Sequence, residues 1–202
     1  MKETNYSKIG TLLEKNGGII TREDVINDGI PTWFLSDFSR KNGLVNVAPG
    51  VYAKDDYVID NYFILQRRYR KFIFSGLSSL YLNGLTDKIP SSINVTAPQG
   101  YNPTRHKDPM VSIRRISDPE IYELGAIELP TPYGNVVKVY GPERVICDLI
   151  KHRDEYDGET FVKAMKMYFA KHNNQILLFE YARKLGIEKK AFEIFEVIAN
   201  ED

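Results

Sequence analysis

The sequence predicts an α+β protein in which a small module of helices and one β-hairpin precedes a mixed α/β domain with a helical C-terminal part. Two observations carry this prediction. Residues 1–56 show apolar residues at helical spacing, divided by glycines, and then a strand, a turn and a second strand. Residues 57–202 mix short β-branched runs with helical stretches, which is typical of a mixed α/β domain. We therefore expect two domains, 1–56 and 57–202.

The composition is that of a globular protein in a reducing compartment. Of the 202 residues, 43% are hydrophobic and 27% are charged, which is enough apolar side chain to bury a core. Cys147 is the single cysteine, so no internal disulfide can form, and this favours a cytoplasmic location. No apolar run approaches the ~20 residues of a membrane span, and the first residues lack the apolar stretch of a signal peptide. The sequence thus predicts no membrane partner.

Three helices are predicted before the hairpin. Ile9, Leu12 and Leu13 occupy the i, i+3 and i+4 positions of an amphipathic helix, and two glycines end that helix. Thr21 is expected to be the N-cap of the second helix, whose first turn carries acids that suit the helix dipole. Pro31 has the fixed φ of a helix start, so a third helix is expected from there to about residue 41.

A β-hairpin follows the third helix. Residues 44–47 and 51–53 are predicted to be its strands, whereas Ile19 and Ile20 are expected to form only a short extended link. Helix, helix, tight glycine turn, helix and hairpin is the order of a winged helix-turn-helix. In that motif the third helix enters the major groove of DNA. The N-terminal module is therefore predicted to bind double-stranded DNA.

The outward side of the third helix supplies most of the candidate DNA contacts. Arg40 and Lys41 are expected to contact phosphate or guanine, although Asp37 on the same side would repel phosphate. Arg22, at the start of the second helix, is expected to clamp a phosphate together with backbone N–H groups. Trp33 is expected to pack on a neighbouring helix, and the alternative is that it stacks near the sugar-phosphate backbone of DNA. The full candidate set for DNA binding is Thr21, Arg22, Thr32, Ser36, Arg40, Lys41, Tyr52 and Lys54.

A basic cluster follows the hairpin, on a helix predicted over residues 60–71. No acidic residue lies between residues 62 and 74. The cluster would add phosphate contacts if it faced DNA. Alternatively, it is a solvated helix face whose cations bond to carboxylates of the chain itself, and the sequence leaves both interpretations open. Its members are Arg67, Arg68, Arg70 and Lys71.

The second domain is predicted from alternating patterns of two kinds. Strands are expected at residues 72–74, 93–96 and 111–116, and as a hairpin at residues 127–129 and 136–139. Helices are expected at residues 78–82, 142–151, 160–171, 175–185 and 189–199. Cys147 has apolar neighbours on its helix and is interpreted as a core residue.

Three segments resemble the AbiEi family of antitoxins, and they follow one another in the family's order. The central one is residues 76–87 (GLSSLYLNGLTD), followed by Ile89-Pro90 and residues 93–96 (INVT). The second is residues 139–150 (VYGPERVICDLI). The N-terminal end, with residues 43–45 (GLV) and 49–52 (PGVY), resembles the winged module that opens members of this family. The resemblance covers nearly the whole chain.

The resemblance implies two functions in one chain. The winged module of such a protein represses its own operon by binding inverted repeats in promoter DNA, and the C-terminal domain neutralises a co-encoded toxin of the nucleotidyltransferase type. These pairs are abortive-infection systems against phage. Whether the antitoxin contacts the toxin directly is left open. One departure is that many relatives carry an arginine or another polar residue where Ala48 and Pro49 form the wing tip here.

Two other functions are compatible with the sequence. One is a stand-alone transcriptional regulator whose C-terminal domain senses a small ligand. The other is a nucleic-acid hydrolase that uses scattered acids such as Asp118, Glu120 and Glu128, although no short motif selects them. We expect a non-enzyme without a cofactor. No metal site is predicted, because the histidines at positions 106, 152 and 172 lack ligand spacing with one another and with Cys147.

Overall fold

The computed structural model describes residues 4–101, 109–172 and 174–199, so His106 lies outside the described residues. The chain divides into two compact units, Met1–Arg70 and Lys71–Asp202. This division falls later in the chain than the boundary after residue 56 that the sequence suggested. The helix that the sequence assigned to the start of the second domain therefore belongs to the first unit.

The first unit contains four helices and three short strands among its described residues. In chain order these are α1 (Asn5–Lys15), β1 (Ile19–Thr21), α2 (Arg22–Asn27), α3 (Thr32–Lys41), β2 (Val45–Ala48), β3 (Val51–Ala53) and α4 (Asn61–Arg68). The three predicted helices and the hairpin β2–β3 are confirmed. The segment expected to be an extended link is instead strand β1.

The three strands form one antiparallel sheet with β3 in the middle. Thr21 lies opposite Val51, and Ile19 lies opposite Ala53 at the other end of β3. Gly50, in the tight turn between β2 and β3, has a φ of 76°, a left-handed conformation that glycine adopts at little steric cost. The register therefore places the end of β1 and the start of α2 beside the hairpin tip.

Helix α4 packs on this sheet, which explains why the first unit extends to Arg70. Ile64 joins a buried apolar cluster with Ile19, Val51 and Ala53. The helix begins at a buried aspartate, Asp60, whose side chain accepts two backbone N–H bonds of the first turn. Without α4, the outer face of β1 and β3 would lose an apolar cover.

The second unit is a mixed α/β structure. Its strands are β4 (Ile73–Phe74), β5 (Ile93–Pro98), β6 (Val111–Ile116), β7 (Ala126–Pro130) and β8 (Val136–Tyr140). Its helices are α5 (Gly76–Leu82), α6 (Pro119–Glu123), α7 (Pro142–Lys151), α8 (Gly158–Lys171), α9 (Gln175–Lys184) and α10 (Glu188–Ala199). All of them except α6 were predicted at or near these positions. The helical C-terminal part is therefore confirmed.

The five strands form one sheet in the order β6-β5-β4-β8-β7. The pairs β4–β8 and β5–β6 are parallel, and the pairs β4–β5 and β7–β8 are antiparallel. Strand β4 lies at the centre, and Ile73 and Phe74 are completely buried there. A strand buried on both faces needs an uninterrupted apolar run, which is the pattern that predicted it.

The C-terminal helices enclose the largest apolar core of this unit. Leu149 of α7, Tyr168 of α8, Leu178 of α9 and Phe195 of α10 belong to it. Cys147 is also part of it, and burial raises the pKa of the Cys147 thiol to about 12, which confirms the cysteine as a core residue. Across the described ranges, no helix is both long and apolar enough to cross a membrane.

Arg144 is a buried cation of this unit. Arg144, in the first turn of α7, is 1% exposed. Its Nε donates to Asp148 one turn later, at 3.1 Å from Oδ2, and its Nη1 donates to the carbonyls of Ile121 and Leu124 at 2.6 and 2.7 Å. The guanidinium carbon lies 4.2 Å from the centre of the Tyr140 ring. Arg144 therefore ties the start of α7 to α6 and has a structural role.

Candidate nucleic-acid interface

Helix α3 has one buried apolar side and one accessible polar side. Leu35 and Phe38 are buried in the core of the first unit. Thr32, Ser36 and Arg40 follow at intervals of four residues, so they lie along one side of the helix. Ser36 and Arg40 are exposed and Thr32 is half-buried. This side of α3 is open to a large partner.

The C-terminal half of α3 carries a compact ionic cluster around Asp37. The Asp37 carboxylate accepts hydrogen bonds from Arg40 Nη2 at 2.7 Å and from Lys41 Nζ at 2.9 Å. The hydroxyl of Tyr6, on α1, donates to the same carboxylate, and Lys41 Nζ lies 5.1 Å from the centre of the Tyr6 ring. The hydrogen bonds from Lys41 and Arg40 hold the pKa of Asp37 below its usual value. The two cations thus share one carboxylate, so the cluster keeps one positive charge that is not balanced.

Both cations of this cluster remain accessible despite their shared partner. The side chain of Arg40 is 79% exposed and that of Lys41 is 58% exposed, whereas that of Asp37 is 22% exposed. Ion pairs at this exposure are weak, because water screens the charges and the long side chains lose conformational entropy when they pair. A phosphate group can therefore compete with Asp37 for either cation.

The side chain of Trp33 has different surroundings from those that the sequence predicted. Its ring stacks on Phe34 of the same helix, with 3.7 Å between ring centres and 24° between ring planes. Packing on a neighbouring helix was expected, but the side chain is 60% exposed. A planar apolar surface beside polar groups suits contact with a sugar or with a thymine methyl group. The sequence signal for such an exposed contact residue is a tryptophan next to the polar positions of the helix.

Arg22 lies beside the hairpin tip. Its backbone N–H donates to the carbonyl of Gly50 at 2.8 Å. A Cβ atom on Gly50 would lie 3.4 Å from the Arg22 Cβ, so the two backbones approach closely. The Arg22 side chain is exposed. The structure therefore leaves Arg22 accessible next to the wing tip, which is compatible with its predicted contact to phosphate.

Thr21 must be removed from the candidate set. It is 2% exposed, and its hydroxyl forms the cap of α2. The Oγ1 atom accepts from the Asp24 N–H at 3.1 Å and donates to Asp24 Oδ2 at 2.8 Å, while the Thr21 N–H donates to Asp24 Oδ2 at 2.8 Å. Such a reciprocal capping box satisfies backbone groups that a helix end leaves unpaired. Thr21 has a structural role and is not accessible to DNA.

Tyr52 and Lys54 are weaker candidates than the sequence suggested. Tyr52 is half-buried and packs against the core of the first unit. The Lys54 Nζ bonds to Glu14 at 2.8 Å, and this carboxylate raises the pKa of Lys54. The Lys54 N–H donates to the carbonyl of Gly18 at 2.8 Å, so Lys54 lies at the end of β3 away from the tip. The structure does not bring it together with Arg22.

Two members of the basic cluster bond to carboxylates of the first unit. Arg67 Nη2 donates to Asp24 Oδ2 at 2.7 Å, and Arg70 Nη2 donates to Asp24 Oδ1 at 2.8 Å. Arg70 Nε also lies 3.3 Å from a carboxylate oxygen of Glu23. The sequence left open whether these cations contact phosphate or bond to carboxylates of the chain itself. These two arginines bond to carboxylates of the chain. Both bonds hold the α4 segment against the start of α2. The predicted phosphate contact of Arg67 is corrected because its side chain is only 22% exposed, whereas that of Arg70, at 46%, stays a prediction.

The other two members of the cluster are separated from this pair. The guanidinium carbon of Arg68 lies 4.9 Å from the centre of the Tyr69 ring. Lys71 is exposed and is the first residue of the second unit. Their contacts with phosphate stay a prediction. The candidate interface on α3 and at the start of α2 consists of Arg22, Thr32, Trp33, Ser36, Arg40 and Lys41.

The acids considered for hydrolysis are not assembled into a metal site. Asp118 caps α6, because its Oδ1 accepts from the N–H groups of Glu120 and Ile121 at 2.8 and 3.3 Å. Within the part of the chain that the structure describes, no three His, Cys, Asp or Glu side chains are grouped to hold a metal ion. A structural role therefore accounts for Asp118.

Comparison with known proteins gives a likeness in fold. No family model matches the chain, and no curated protein does. Among solved structures, the RV2827C protein from Mycobacterium tuberculosis is similar, with a TM-score of 0.53 and 16% sequence identity over 89% of this chain and 71% of that chain. Identity at this level concerns the fold alone. The likeness supports a mixed α/β architecture with a helical C-terminal part.

Proposed function

We propose that the first unit is a winged helix-turn-helix and that the chain is a DNA-binding transcriptional repressor. The order α1-β1-α2-α3-β2-β3, with the hairpin β2–β3 as the wing, is the order of elements in that motif. The antiparallel sheet β1-β3-β2 ties the wing to the start of α2. In this proposal α3 is the recognition helix.

The observation that carries the proposal is the accessible side of α3. It offers Ser36 for hydrogen bonds, Trp33 for apolar contact and Arg40 and Lys41 for phosphate or guanine. Arg22, beside the wing tip, adds a cation at the start of α2. The formal net charge of the chain is +0, so the affinity for DNA must come from this local group of cations.

The biological role in this proposal follows from the resemblance to AbiEi antitoxins. The repressor acts on inverted repeats in its own promoter, and two chains occupy the two half-sites. The second unit opposes a nucleotidyltransferase-like toxin, with or without a direct complex. The fold is compatible with two functions on two units, since the compact units Met1–Arg70 and Lys71–Asp202 each contain buried apolar clusters.

The test is a mobility-shift series with promoter DNA at several salt concentrations. Each phosphate contact contributes ~0.9 to the slope of log affinity against log salt. The double variant Arg40→Ala/Lys41→Ala is expected to bind DNA several-fold more weakly. Its salt slope should be lower in magnitude by the contribution of about one to two phosphate contacts.

The chain offers a matched control. Arg183 and Lys184 are an adjacent Arg-Lys pair in the last turn of α9, and like the α3 pair they bond to carboxylates, those of Glu188 and Glu180. Arg183→Ala/Lys184→Ala removes the same charge from the second unit and should leave the slope unchanged. Equal slopes for the two double variants would mean that α3 is not at the DNA.

A further inference from the structure

The second unit contains a polar cleft of about 600 Å³ beside the edge of its sheet. Small-molecule sites commonly have volumes of ~300–1,000 Å³. Asn94 is the neighbour of Ser112, and Thr96 of Arg114, in the parallel pair β5–β6. Because side chains alternate along a strand, these four share one face of the sheet. An apolar core cannot supply hydrogen bonds to these polar side chains, so they need polar partners.

One acceptor in this cleft has no donor. The Asn94 Oδ1 atom is buried, and no group in the described ranges donates a hydrogen bond to it. The backbone holds the residue in place, since the Asn94 N–H bonds to Ser78 Oγ at 2.8 Å and the Asn94 carbonyl accepts from the Ser75 N–H at 3.0 Å. A buried polar group without a partner is destabilising. Asn94 lines the cleft but its Oδ1 atom is covered in this conformation, so the N–H group of a ligand removes that cost when the amide turns toward the cleft.

The carboxylates that line the cleft already have local partners. Asp148 bonds to Arg144, and Asp118 caps α6. Lys151 also lines the cleft, and in the described part of the chain its Nζ forms no ion pair and donates only to the carbonyl of Leu185, at 3.2 Å. Arg114 bonds to Glu155, but both side chains are well exposed, at 38% and 54%. An anion can therefore compete for Arg114 and Lys151 with little opposition from the acids.

We propose that this cleft binds a nucleoside monophosphate or another phosphate ester of that size, with the phosphate attracted by Arg114 and Lys151 and a planar N–H edge at Asn94. An asparagine amide presents a donor and an acceptor side by side, which is the pattern that pairs with the edge of adenine. A guanidinium matches the oxygens of a phosphate group. Tyr156 and Leu77, which also line the cleft, supply surface for a planar ring. This site is independent of the DNA-binding proposal.

The experiment titrates the full chain with AMP, GMP, CMP and UMP, and with inorganic phosphate, and follows the His152 ring protons by NMR. His152 lines the cleft, and the chain has 3 histidines, so His152→Gln assigns its signal. Burial and then the Arg114 charge lower the pKa of His152, whereas Glu155 and Asp148 oppose this effect. A bound phosphate near Arg114 should raise that pKa. At least one nucleotide is expected to shift the signal saturably and to raise the thermal midpoint.

Variants show whether the proposed atoms bind the ligand. Asn94→Ala and Arg114→Ala should each weaken nucleotide binding about tenfold or more, whereas Arg183→Ala, which breaks a comparable exposed pair with Glu188, should have no effect. Inorganic phosphate should bind more weakly than the best nucleotide, because it lacks the N–H edge. The proposal fails if no nucleotide shifts the His152 signal, if binding survives both cleft variants, or if phosphate alone binds as tightly.

Discussion

In the proposed complex, Asp37 determines how much positive charge helix α3 offers to DNA. Its carboxylate is shared by Arg40 and Lys41, and it also accepts a hydrogen bond from Tyr6. The lowered pKa of Asp37 means that it stays ionised throughout the neutral range. In a non-specific complex, where phosphates are the main partners, this negative charge opposes binding. If α3 is the recognition helix, as proposed, Asp37 favours DNA sites at which base contacts compensate for that repulsion.

We expect Asp37→Asn to strengthen binding to random DNA more than binding to the promoter. The change keeps the shape of the side chain but removes the charge that holds Arg40 and Lys41. The salt slope on random DNA should steepen by about one contact, ~0.9. The measurement is a salt series with both DNA sequences. Asp55→Asn, an exposed aspartate after the wing, is the control, and equal gains for the two variants would refute a specific role for Asp37.

The exposed positions of α3 could be predicted from sequence, but the partners of their charges could not. Helical periodicity is a local pattern, and it separated Leu35 and Phe38 from Ser36 and Arg40 correctly. The bond between Arg67 and Asp24 joins residues 43 positions apart, and no local pattern encodes it. For the same reason, no local pattern indicates that Arg114 and Asn94 line one cleft.

The start of α2 shows how a short element can hold a unit together. Helix α2 has only 6 residues, which is too short to be stable by itself. The Asp24 side chain bonds to the cap residue Thr21, to Arg67 of α4 and to Arg70, which follows α4 in the chain. The cap of one helix is therefore also the anchor of another. This arrangement makes the cap more important for the first unit than a cap at a free helix end.

We expect Thr21→Ala to destabilise the first unit by about 1 kcal/mol, the usual cost of losing an N-cap hydroxyl. The salt slope of DNA binding should not change, because Thr21 is buried. Urea unfolding followed by circular dichroism measures the first effect. Labelling of Cys147, the single cysteine, should be unaffected because that thiol is buried in the second unit.

Thr4→Ala is the matched control for this prediction. Thr4 caps α1 by accepting from the Ser7 N–H at 3.2 Å, but it is exposed. Its loss should cost less than that of Thr21. If Thr21→Ala changed the salt slope of DNA binding without a loss of stability, Thr21 would have to be a DNA contact after all.

At the level of elements, length decided what the sequence could predict. Long helices such as α7 and α8 repeat their apolar spacing over several turns, so the pattern identifies them. Strand β1 has 3 residues and α6 has 5, and neither contains enough of a period to be recognised. Strand β1 exists because β3 offers it hydrogen-bond partners, which is a tertiary cause.

At the level of the whole molecule, the boundary at Arg70 predicts which fragments fold. Residues 1–70 include α4, whereas residues 1–56 lack Ile64 and both arginines that bond to Asp24. Removing α4 uncovers the apolar residues Ile19, Val51 and Ala53 and takes both cations from Asp24, which is a large loss for a domain that is only marginally stable. We expect the fragment 1–70 to fold and to shift promoter DNA, and the fragment 1–56 to be largely unfolded. Equal helical circular dichroism per residue and equal DNA affinity would contradict this expectation.

The complementary fragment tests the division of functions. A chain that starts at Lys71 retains the complete five-stranded sheet and the C-terminal helices. It should protect cells from the toxin without shifting promoter DNA. The slow labelling of Cys147 confirms that the fragment is folded before growth is compared. If the folded fragment gives no protection, the antitoxin function requires the first unit.

The pairing of strand β4 also has a consequence for the order in which the chain folds during synthesis. Phe74 pairs with Val139, so the centre of the second sheet cannot form until the ribosome has passed β8. The first unit is complete at Arg70. At translation rates of ~5–20 residues per second, this interval lasts ~4–14 s. A nascent chain therefore carries a folded first unit for several seconds before its second unit can assemble, and interrupted translation releases chains that have only the first.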